Sequence, residues 1–239
     1  MQNRYVGDIG DYVKFAMLRA LSPGSRLGVA WWLCEDEAHN QDGRHISYLA
    51  SPEKWRHLDP ELFDGLKKIV DREIRDVKLI EDANFLPGAK FHGDQVPALG
   101  TPAERRKRRP KWYEALKASL AEQDLVFLDP DNGLEPAGFS AGTKIACKSV
   151  SIQELVGLDK AGRTLIVYHH HTRRKGGHLE EIRYWTAKLA EKFQSVDAIR
   201  SKPYSPRVFF ILNATPEIRE RAIKLTSKWA DLLSWHSFA

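Results

Sequence analysis

The chain has 239 residues, of which 42% are hydrophobic and 10% aromatic, so it can build a sizeable core and global disorder is excluded. No apolar run approaches the roughly 20 residues of a membrane span, and the N-terminus carries no apolar signal segment, which predicts a cytoplasmic protein without a membrane partner. The formal net charge of +5 fits a nucleic acid partner without requiring one.

Hydrophobic periodicity predicts helices and strands that alternate along the chain. The predicted helices are 11–21, 60–71, 112–121, 151–156, 179–193 and 218–233, and the predicted strands are 27–33, 77–80, 90–92, 125–128, 164–168, 196–200 and 208–212. This alternation indicates the α/β class. We expect one domain over residues 1–239, a three-layer sandwich around a mostly parallel, Rossmann-like sheet with a C-terminal antiparallel strand pair. Cys34 and Cys147 have no paired spacing and are expected to be reduced core thiols.

The most informative segment is the turn that follows the apolar strand 125–128. It reads Asp129-Pro130-Asp131-Asn132-Gly133. Ligands bind outside the carboxyl ends of strands in parallel sheets, so Asp129, Asp131 and Asn132 are candidate catalytic residues. Because Asp, Asn, Pro and Gly are also the commonest turn formers, a plain tight turn is the alternative.

A run of histidines follows the apolar strand 164–168. Side chains alternate along an extended chain, so His169 and His171 are predicted to face one way and His170 the other. Such a cluster, with His178 beyond it, is typical of a metal site or of a surface that contacts bases or phosphates. The alternative is a polar strand end that is rich in histidine. His170 is the fourth candidate catalytic residue.

Two basic clusters are candidate contacts to nucleic acid, RNA or DNA. The first contains Arg105, Arg106, Lys107, Arg108 and Arg109, and the second contains Arg173 and Arg174. Trp112 and Tyr113 follow the first cluster, and cations beside aromatic rings are typical of proteins that bind single-stranded or looped nucleic acid. A solvated basic loop is the alternative.

Taken in order, these motifs resemble the class I S-adenosylmethionine-dependent methyltransferases, in particular the J-type ribosomal RNA adenine methyltransferase family. That family opens with Gly-Asn-x-Ala-Asp-x-Leu-Lys, and residues 7–14 here, Gly-Asp-Ile-Gly-Asp-Tyr-Val-Lys, are similar. Its catalytic Asp-Pro-Pro-Tyr follows an apolar strand, as residues 129–132 do here. The family modifies the exocyclic amine of an adenine in large-subunit RNA.

The resemblance implies S-adenosylmethionine as the cofactor and an exocyclic base amine as the methyl acceptor. It implies that Asp129 accepts a hydrogen bond from the amine, with Asn132 beside it. Lys14 is then expected by the methionine end of the cofactor and Glu81 at its ribose hydroxyls, with Asp11 as the third residue of the cofactor site.

Two departures from the family pattern leave other functions open. Asp131 and Asn132 stand where the family has proline and an aromatic residue, and no glycine-rich turn follows the strand 27–33. A metal-dependent hydrolase, such as a nuclease, would use Asp129, Asp131 and two of the histidines between 169 and 178 to bind Mn²⁺, Zn²⁺ or Mg²⁺. A third possibility is an inactive protein that binds nucleic acid.

Overall fold

Helices alternate with strands throughout the computed structural model, which describes residues 1–37, 43, 45–172 and 174–238. The strands are β1 (Leu27–Ala30), β2 (Lys90–His92), β3 (Leu125–Leu128), β4 (Gly133–Leu134), β5 (Ser149–Val150), β6 (Thr164–His170), β7 (Val196–Ser201), β8 (Arg207–Leu212) and β9 (Leu233–Phe238). The helices are α1 (Ile9–Leu21), α2 (Pro52–Trp55), α3 (Pro60–Val70), α4 (Val77–Asp82), α5 (Pro102–Ser119), α6 (Ile152–Leu158), α7 (Gly177–Ala190) and α8 (Pro216–Lys228).

Seven strands form one sheet in the order β2-β1-β3-β6-β8-β7-β9. The first four are parallel, whereas β8 runs antiparallel to both of its neighbours and β9 runs antiparallel to β7. The short strands β4 and β5 pair separately, and β4 lies against β6. The α/β, Rossmann-like class is therefore confirmed, including the C-terminal antiparallel pair of β7 and β8.

The sheet is covered on both faces, because successive residues of its central strands point into two different apolar layers. Phe127 of β3 packs in the layer that contains α1, α3 and α8, whereas Val126 and Leu128 pack in the layer that contains α5, α6 and α7. All four residues of β3 are buried, which is typical of a strand between two helical layers.

The start of α1 is set by local sequence. Asp8 is its N-cap residue and accepts a hydrogen bond from the N–H of Asp11. Gly7 precedes the cap with a φ of +83°, a conformation that favours glycine. Residues 7–14 therefore enter the helix through a sharp turn, which places Asp11 and Lys14 on its first turns.

Three elements differ from the sequence-based prediction. The predicted strand 77–80 is wrong, because these residues belong to α4, where the buried Val77 and Ile80 are three positions apart on one helical face. The predicted closing helix ends at Lys228, and the residues from Leu233 onward form the edge strand β9 instead.

The third difference is the basic segment, for which the sequence predicts a loop and which is the first half of α5. Thr101 and Glu104 form a capping box, and Pro102 occupies the first turn, where its missing N–H has no cost. No helix in the described part of the chain, including the 18-residue α5, combines the length and apolarity that a membrane span needs.

Candidate functional site

A cavity of about 240 Å³ opens at the carboxyl edge of the parallel strands. The strand order reverses between β1 and β3, which is where open α/β sheets place their ligands. The cavity is lined by Asp8, Gly10, Asp11 and Lys14 at the start of α1, by Asp129, Asp131 and Asn132 after β3, by Tyr168 and His170 of β6, and by Ser205 and Arg207 at the start of β8, together with Met1, Tyr5, Gly43 and His45. Every expected catalytic and cofactor-binding residue except Glu81 therefore lies at this one cavity.

Lys14 links two buried carboxylates at the base of the cavity. Its Nζ lies 2.6 Å from Oδ2 of Asp129 and 2.9 Å from Oδ1 of Asp11. Burial works to lower the pKa of the Lys14 ammonium, but the two carboxylates outweigh it and raise that pKa. Burial raises the pKa of both Asp129 and Asp11, against the opposing effect of Lys14. The three groups form one charge-assisted unit.

One oxygen of the Asp129 carboxylate, Oδ1, accepts no hydrogen bond from the described residues. Among the described residues, Lys14 is the one hydrogen-bond donor to its side chain, through Oδ2. The backbone fixes the residue as well, because the N–H of Asp129 donates to the carbonyl of Ala30 in β1 at 3.0 Å. A second carboxylate oxygen in a cavity wall can accept a hydrogen bond from a bound donor.

Asp11 is more fully committed to the protein. Its Oδ2 accepts the N–H of Gly7 at 3.0 Å, while its Oδ1 accepts from Lys14. Asp11 and Lys14 are three residues apart and so share one face of α1. The main contribution of Asp11 in this structure is to hold Lys14 and the turn at Gly7 in place.

Asp131 and Asn132 differ in what they contact. The carboxylate of Asp131 accepts Nε2 of Gln2 at 2.5 Å and lies 3.7 Å from Nζ of Lys148. Asn132 is exposed, and its backbone rather than its side chain is fixed, because its N–H donates to the carbonyl of Lys148 at 2.8 Å. Asp131 therefore helps to attach the N-terminal segment, while the side chain of Asn132 lies at the rim of the cavity.

The N-terminal segment fills the crevice between β1 and β3. The amino group of Met1 donates to the carbonyl of Trp32 at 3.1 Å and to that of Asp129 at 2.8 Å. Trp31 and Trp32 are fully buried just after β1, in the place where many nucleotide-binding folds have a glycine-rich turn. Bulky side chains and the first residues of the chain thus occupy space beside the cavity.

The histidines at the end of β6 face opposite sides of the sheet, as the alternation predicts. His170 faces the cavity, with Nδ1 3.3 Å from the hydroxyl of Tyr168 and Nε2 3.5 Å from Oγ of Ser205. His169 faces α7 and packs against Trp185. Gly133 approaches His169 so closely that a Cβ at position 133 would lie 2.5 Å from it, and its φ of +95° also favours glycine.

On the α7 side, Glu181 collects the hydrogen bonds of the two other histidines. Its carboxylate accepts from Nε2 of His169 and from Nδ1 of His171, each at 3.2 Å, and from the N–H and Oγ1 of Thr172. Burial works to raise the pKa of Glu181, but the hydrogen bonds from His169 and Thr172 lower it to about 2. Burial, with the nearby His178, lowers the pKa of His171 to about 4.

This arrangement separates the residues that the hydrolase hypothesis requires to converge. His169 and His171 bond to Glu181 on the α7 side, while Asp129, Asp131 and His170 line the cavity. The described part of the chain contains no group of three or more histidine, cysteine, aspartate or glutamate side chains placed to hold a metal ion. The metal-dependent hypothesis therefore gains no support from the geometry.

Glu81 lies away from the cavity. Because residues 77–82 form α4 rather than a strand, Glu81 does not end a strand of the sheet. Its Oε1 instead accepts Nε1 of Trp31 at 2.6 Å, and Trp31 stacks on Phe91 of β2. The expected contact of Glu81 with a ribose is thus not provided by this arrangement.

Two of the five basic residues of the first cluster are buried and bonded within the protein. Arg109 donates to both carboxylate oxygens of Glu154 and to the carbonyl of Ser149. Arg105 donates to the carbonyl of Gly142 at 2.7 Å. Because Arg105 and Arg109 are only 5% and 4% exposed, they are removed from the expected phosphate-binding set.

The remaining basic residues lie at the surface. Arg106, Lys107 and Arg108 are exposed on the first turns of α5, and Arg174 is exposed with its guanidinium over the ring of Tyr184. Arg173 lies outside the described residues. Trp112 and Tyr113 do not form the expected stacking surface, because Trp112 is buried with Nε1 bonded to the carbonyl of Asp94, and the hydroxyl of Tyr113 bonds to Glu154.

The two cysteines contact each other in the apolar layer that contains α5, α6 and α7. Sγ of Cys34 lies 2.9 Å from the carbonyl of Cys147, and both thiols are buried and free. The contact with Cys147, together with burial, raises the pKa of Cys34, whereas the hydrogen bond from Cys34 lowers the pKa of Cys147.

Arg207 is a cavity residue that the sequence analysis did not identify. It starts β8 and pairs in register with His170, so its side chain reaches the cavity from the antiparallel part of the sheet. The one signal in the sequence is a lone cation in front of the apolar run Val208–Leu212, which is too common to single out.

Comparison of the sequence with protein-family models and with curated proteins finds no match. The fold and the cavity geometry are therefore the grounds for the function proposed below.

Proposed function

We propose that the protein is an S-adenosylmethionine-dependent methyltransferase that acts on an exocyclic amine of a base in nucleic acid. The observation that carries this proposal is the position of Asp129, a buried carboxylate directly after a central strand, with one oxygen bonded to Lys14 and a cavity beside it. The order of motifs along the chain, which resembles that of the J-type family, points the same way.

Asp129 performs the central task in this proposal. Its carboxylate accepts a hydrogen bond from the amine, which orients the nitrogen and stabilises the positive charge that develops on it. Lys14 holds the carboxylate in one orientation and favours its charged form, against the burial that raises its pKa. The mutual placement of Asp129 and Lys14 is fixed before any ligand binds.

The residues that would hold the cofactor are Lys14 and Asp11. The ammonium of Lys14 fits the carboxylate of S-adenosylmethionine, which supplies an electrophilic methyl group when bound, and Asp11 acts by holding Lys14 in place. The cavity, about 240 Å³, is smaller than the roughly 300–1,000 Å³ typical of ligand pockets. Binding of both cofactor and base therefore requires Met1 and Gln2 to move out of the neighbouring crevice.

The nucleic acid partner is supported by the exposed cations of α5. Arg106, Lys107 and Arg108 lie on the first turns of this helix. Because α5 follows β2 in the chain, its start lies toward the carboxyl edge that carries the cavity. A phosphate backbone bound there would be attracted by charge alone, without regard to sequence.

The direct test is transfer of labelled methyl groups from S-adenosylmethionine to RNA and DNA, with wild type and two variants assayed in parallel. Asp129→Asn keeps the shape of the side chain and removes its charge, and we expect a loss of at least about 100-fold, within the range seen when a charge-stabilising group is removed from an active site. The matched control is Asp124→Asn, just before the same strand β3, where the carboxylate bonds to Arg26 at the surface. This control is expected to keep full activity.

A chelator separates this proposal from metal-dependent hydrolysis. Methyl transfer should be unaffected by EDTA, and the product base should carry the label on its exocyclic nitrogen. The proposal is wrong if wild type neither binds S-adenosylmethionine nor labels either nucleic acid, or if Asp129→Asn is as active as Asp124→Asn. Cleavage of the nucleic acid that stops on addition of EDTA would favour the hydrolase instead.

A further inference from the structure

Arg207 carries a buried charge that forms no ion pair with the described residues. The residue is 5% exposed, and its Nε and Nη1 atoms are buried with no hydrogen-bond partner among the described residues. No carboxylate in the described part of the chain lies within 4.0 Å of its guanidinium. An unpaired buried charge is costly, and other buried arginines of this protein, such as Arg109, are fully paired.

The guanidinium is directed at the N-terminus of α1. A Cβ built on Gly10, the second residue of this 13-residue helix, would lie 2.4 Å from Nη1 of Arg207. The N–H groups of Ile9, Asp11 and Tyr12 are already bonded to His45 and Asp8, so this end of α1 contributes mainly the positive end of the helix dipole. The positive end of α1 and the guanidinium of Arg207 thus face the same part of the cavity, and the missing Cβ at position 10 leaves room for Nη1 of Arg207 itself.

The acid nearest to this position does not neutralise Arg207 directly. Oδ1 of Asp8 lies 2.9 Å from the same Cβ position on Gly10, but it accepts the N–H of Asp11 as the helix cap. Asp11 and Asp129, the other carboxylates close by, are both bonded to Lys14. None of these carboxylates forms a hydrogen bond or a close ion pair with Arg207, so its guanidinium can bind an anionic oxygen that enters the cavity.

Further polar groups stand beside Arg207. Its register partner His170 contacts the hydroxyls of Tyr168 and Ser205, and all three residues line the cavity. Burial raises the pKa of Tyr168 to about 12, while the nearby charge of Arg207 acts in the opposite direction. Hydroxyl and imidazole N–H groups donate to anionic oxygens, as does the planar fork of an arginine.

We propose that Arg207, with the N-terminus of α1 and the side chains of His170 and Ser205, forms an oxyanion-binding site in the cavity. The ligand group is a phosphate of the substrate nucleotide or the carboxylate of the cofactor's amino-acid end, which share the charge and acceptor oxygens that this site recognises. The assignment to either source rests on the proposed function, whereas the anion site itself does not.

The test is a titration followed by ³¹P nuclear magnetic resonance at constant ionic strength, with inorganic phosphate as the probe. We expect one saturable site in the full chain. Arg207→Gln should weaken phosphate binding by about tenfold or more, because hydrogen bonds to a charged group contribute on the order of 1.5–3 kcal/mol. The matched control Arg183→Gln removes an arginine from the exposed face of α7 and should bind phosphate as wild type does.

Gly10→Ala provides an independent variant that keeps the charge. Its methyl group would lie 2.4 Å from the present position of Nη1, so the guanidinium must shift and phosphate binding should weaken, while alanine favours the helix intrinsically. Far-ultraviolet circular dichroism verifies that each variant is folded. Equal binding by wild type and Arg207→Gln, or no phosphate binding by wild type, overturns the proposal.

Competition identifies the source of the oxyanion. Displacement of phosphate by adenosine monophosphate but not by L-methionine assigns the site to the nucleotide, and the reverse pattern assigns it to the cofactor. Both results support an oxyanion site. Because this titration needs no methyl transfer, a protein that binds phosphate through Arg207 but never transfers a methyl group would refute the proposed function alone.

Discussion

At the end of β6, adjacent polar residues on the two sides of the sheet differ in their hydrogen bonding. On the α7 side, His169 and His171 both hydrogen-bond to the carboxylate of Glu181, which also accepts two hydrogen bonds from Thr172. On the other side, His170 faces a cavity next to Arg207, whose Nε and Nη1 have no partner among the described residues. His169 and His171 thus converge on one carboxylate, although Nε2 of His171 is itself buried with no hydrogen-bond partner among the described residues, whereas His170 lies beside an arginine with two such nitrogens.

The difference indicates which polar residues serve the fold and which are available for a ligand. A buried polar group that is fully bonded stabilises the structure or is neutral to it, whereas one that lacks a partner costs free energy. A protein retains such a cost where function needs it. By this criterion the hydrogen bonds to Glu181 are structural. Arg207, which has two nitrogens without partners and lines the cavity, is a better place to look for binding than Nε2 of His171, which does not line it.

The largest effect on stability is expected from Glu181→Ala. This change leaves four hydrogen-bond donors of His169, His171 and Thr172 without their acceptor in a buried site, so the free energy of unfolding should fall by about 3–5 kcal/mol. Denaturant unfolding measures it. Glu180→Ala, one residue earlier and exposed, is the control and should change stability by no more than about 0.5 kcal/mol. Equal losses of unfolding free energy in both variants would show that the hydrogen bonds to Glu181 do not stabilise the fold.

The next largest effect is a dependence of stability on pH that His171 causes. Its folded pKa of about 4 lies below its ordinary value of 6.5, so the unfolded chain binds a proton over this range while the folded protein does not. Stability should therefore fall as the pH decreases from 6.5 to 4, by no more than about 1.4 kcal/mol per pH unit from this residue.

Glu181 affects the free energy of unfolding in a lower pH range, since its folded pKa of about 2 lies below its ordinary value of 4.5. Its stabilising effect is complete above pH 4.5 and is lost as the pH falls toward 2.

The contribution of His171 is isolated by the difference in unfolding free energy between wild type and His171→Gln, measured by urea unfolding from pH 7 to pH 4. Parallel curves for the two proteins would contradict the assignment.

A smaller effect on stability is expected from Arg207→Gln, on the side of the sheet that faces the cavity. The change removes a buried guanidinium whose Nε and Nη1 have no partner among the described residues, so the free energy of unfolding should stay within about 1 kcal/mol of wild type or rise. Thermal unfolding in chloride buffer, without phosphate, measures this. A loss of about 3 kcal/mol, as for a buried arginine that is fully bonded, would place Arg207 in the same structural category as Arg109.

The smallest effect on stability is expected from neutralising the exposed cations of α5. Replacing Arg106, Lys107 and Arg108 by glutamine should change stability by no more than about 0.5 kcal/mol. If these residues bind phosphates, the affinity for nucleic acid falls, and its dependence on salt becomes shallower by about one charge for each phosphate that the variant no longer neutralises. Fluorescence anisotropy at several salt concentrations measures both quantities.

Neutral substitution of Lys67, Lys68 and Arg72, exposed on or just after α3, is the matched control for charge, since it also removes three positive charges without touching α5. Equal effects of the two sets of changes would mean that net charge, rather than the surface of α5, determines binding.

Local patterns in the sequence are sufficient for much of the fold and for the core of the candidate site. The four apolar residues before Asp129 and the alternation of His169 with His170 are properties of neighbouring positions, and the structure agrees with both. The burial of Arg105 and Arg109 also has a local signal, because with Trp112 and Leu116 they recur at helical spacing on one face of α5. The density of charge in that segment conceals it.

Other features depend on partners far away in the chain. β9 is a strand because it pairs with β7, whereas in the sequence its residues follow the amphipathic helix α8 without a glycine or proline that marks the change. Likewise, nothing near Arg207 in the sequence shows that its guanidinium will lie against Gly10, almost 200 positions earlier. Contacts of this kind are properties of the assembled fold, and the lack of a partner is visible only there.

The buried thiol of Cys34 offers a way to follow motion of the N-terminal segment. The backbone N–H of Cys34 donates to the carbonyl of Met1 at 2.9 Å, so the cysteine and the residues that fill the crevice between β1 and β3 are directly connected. Alkylating reagents attack the thiolate and need access to it, so the rate of modification reports how often this region opens. A ligand that displaces Met1 accelerates that reaction, whereas one that binds with Met1 in place slows it.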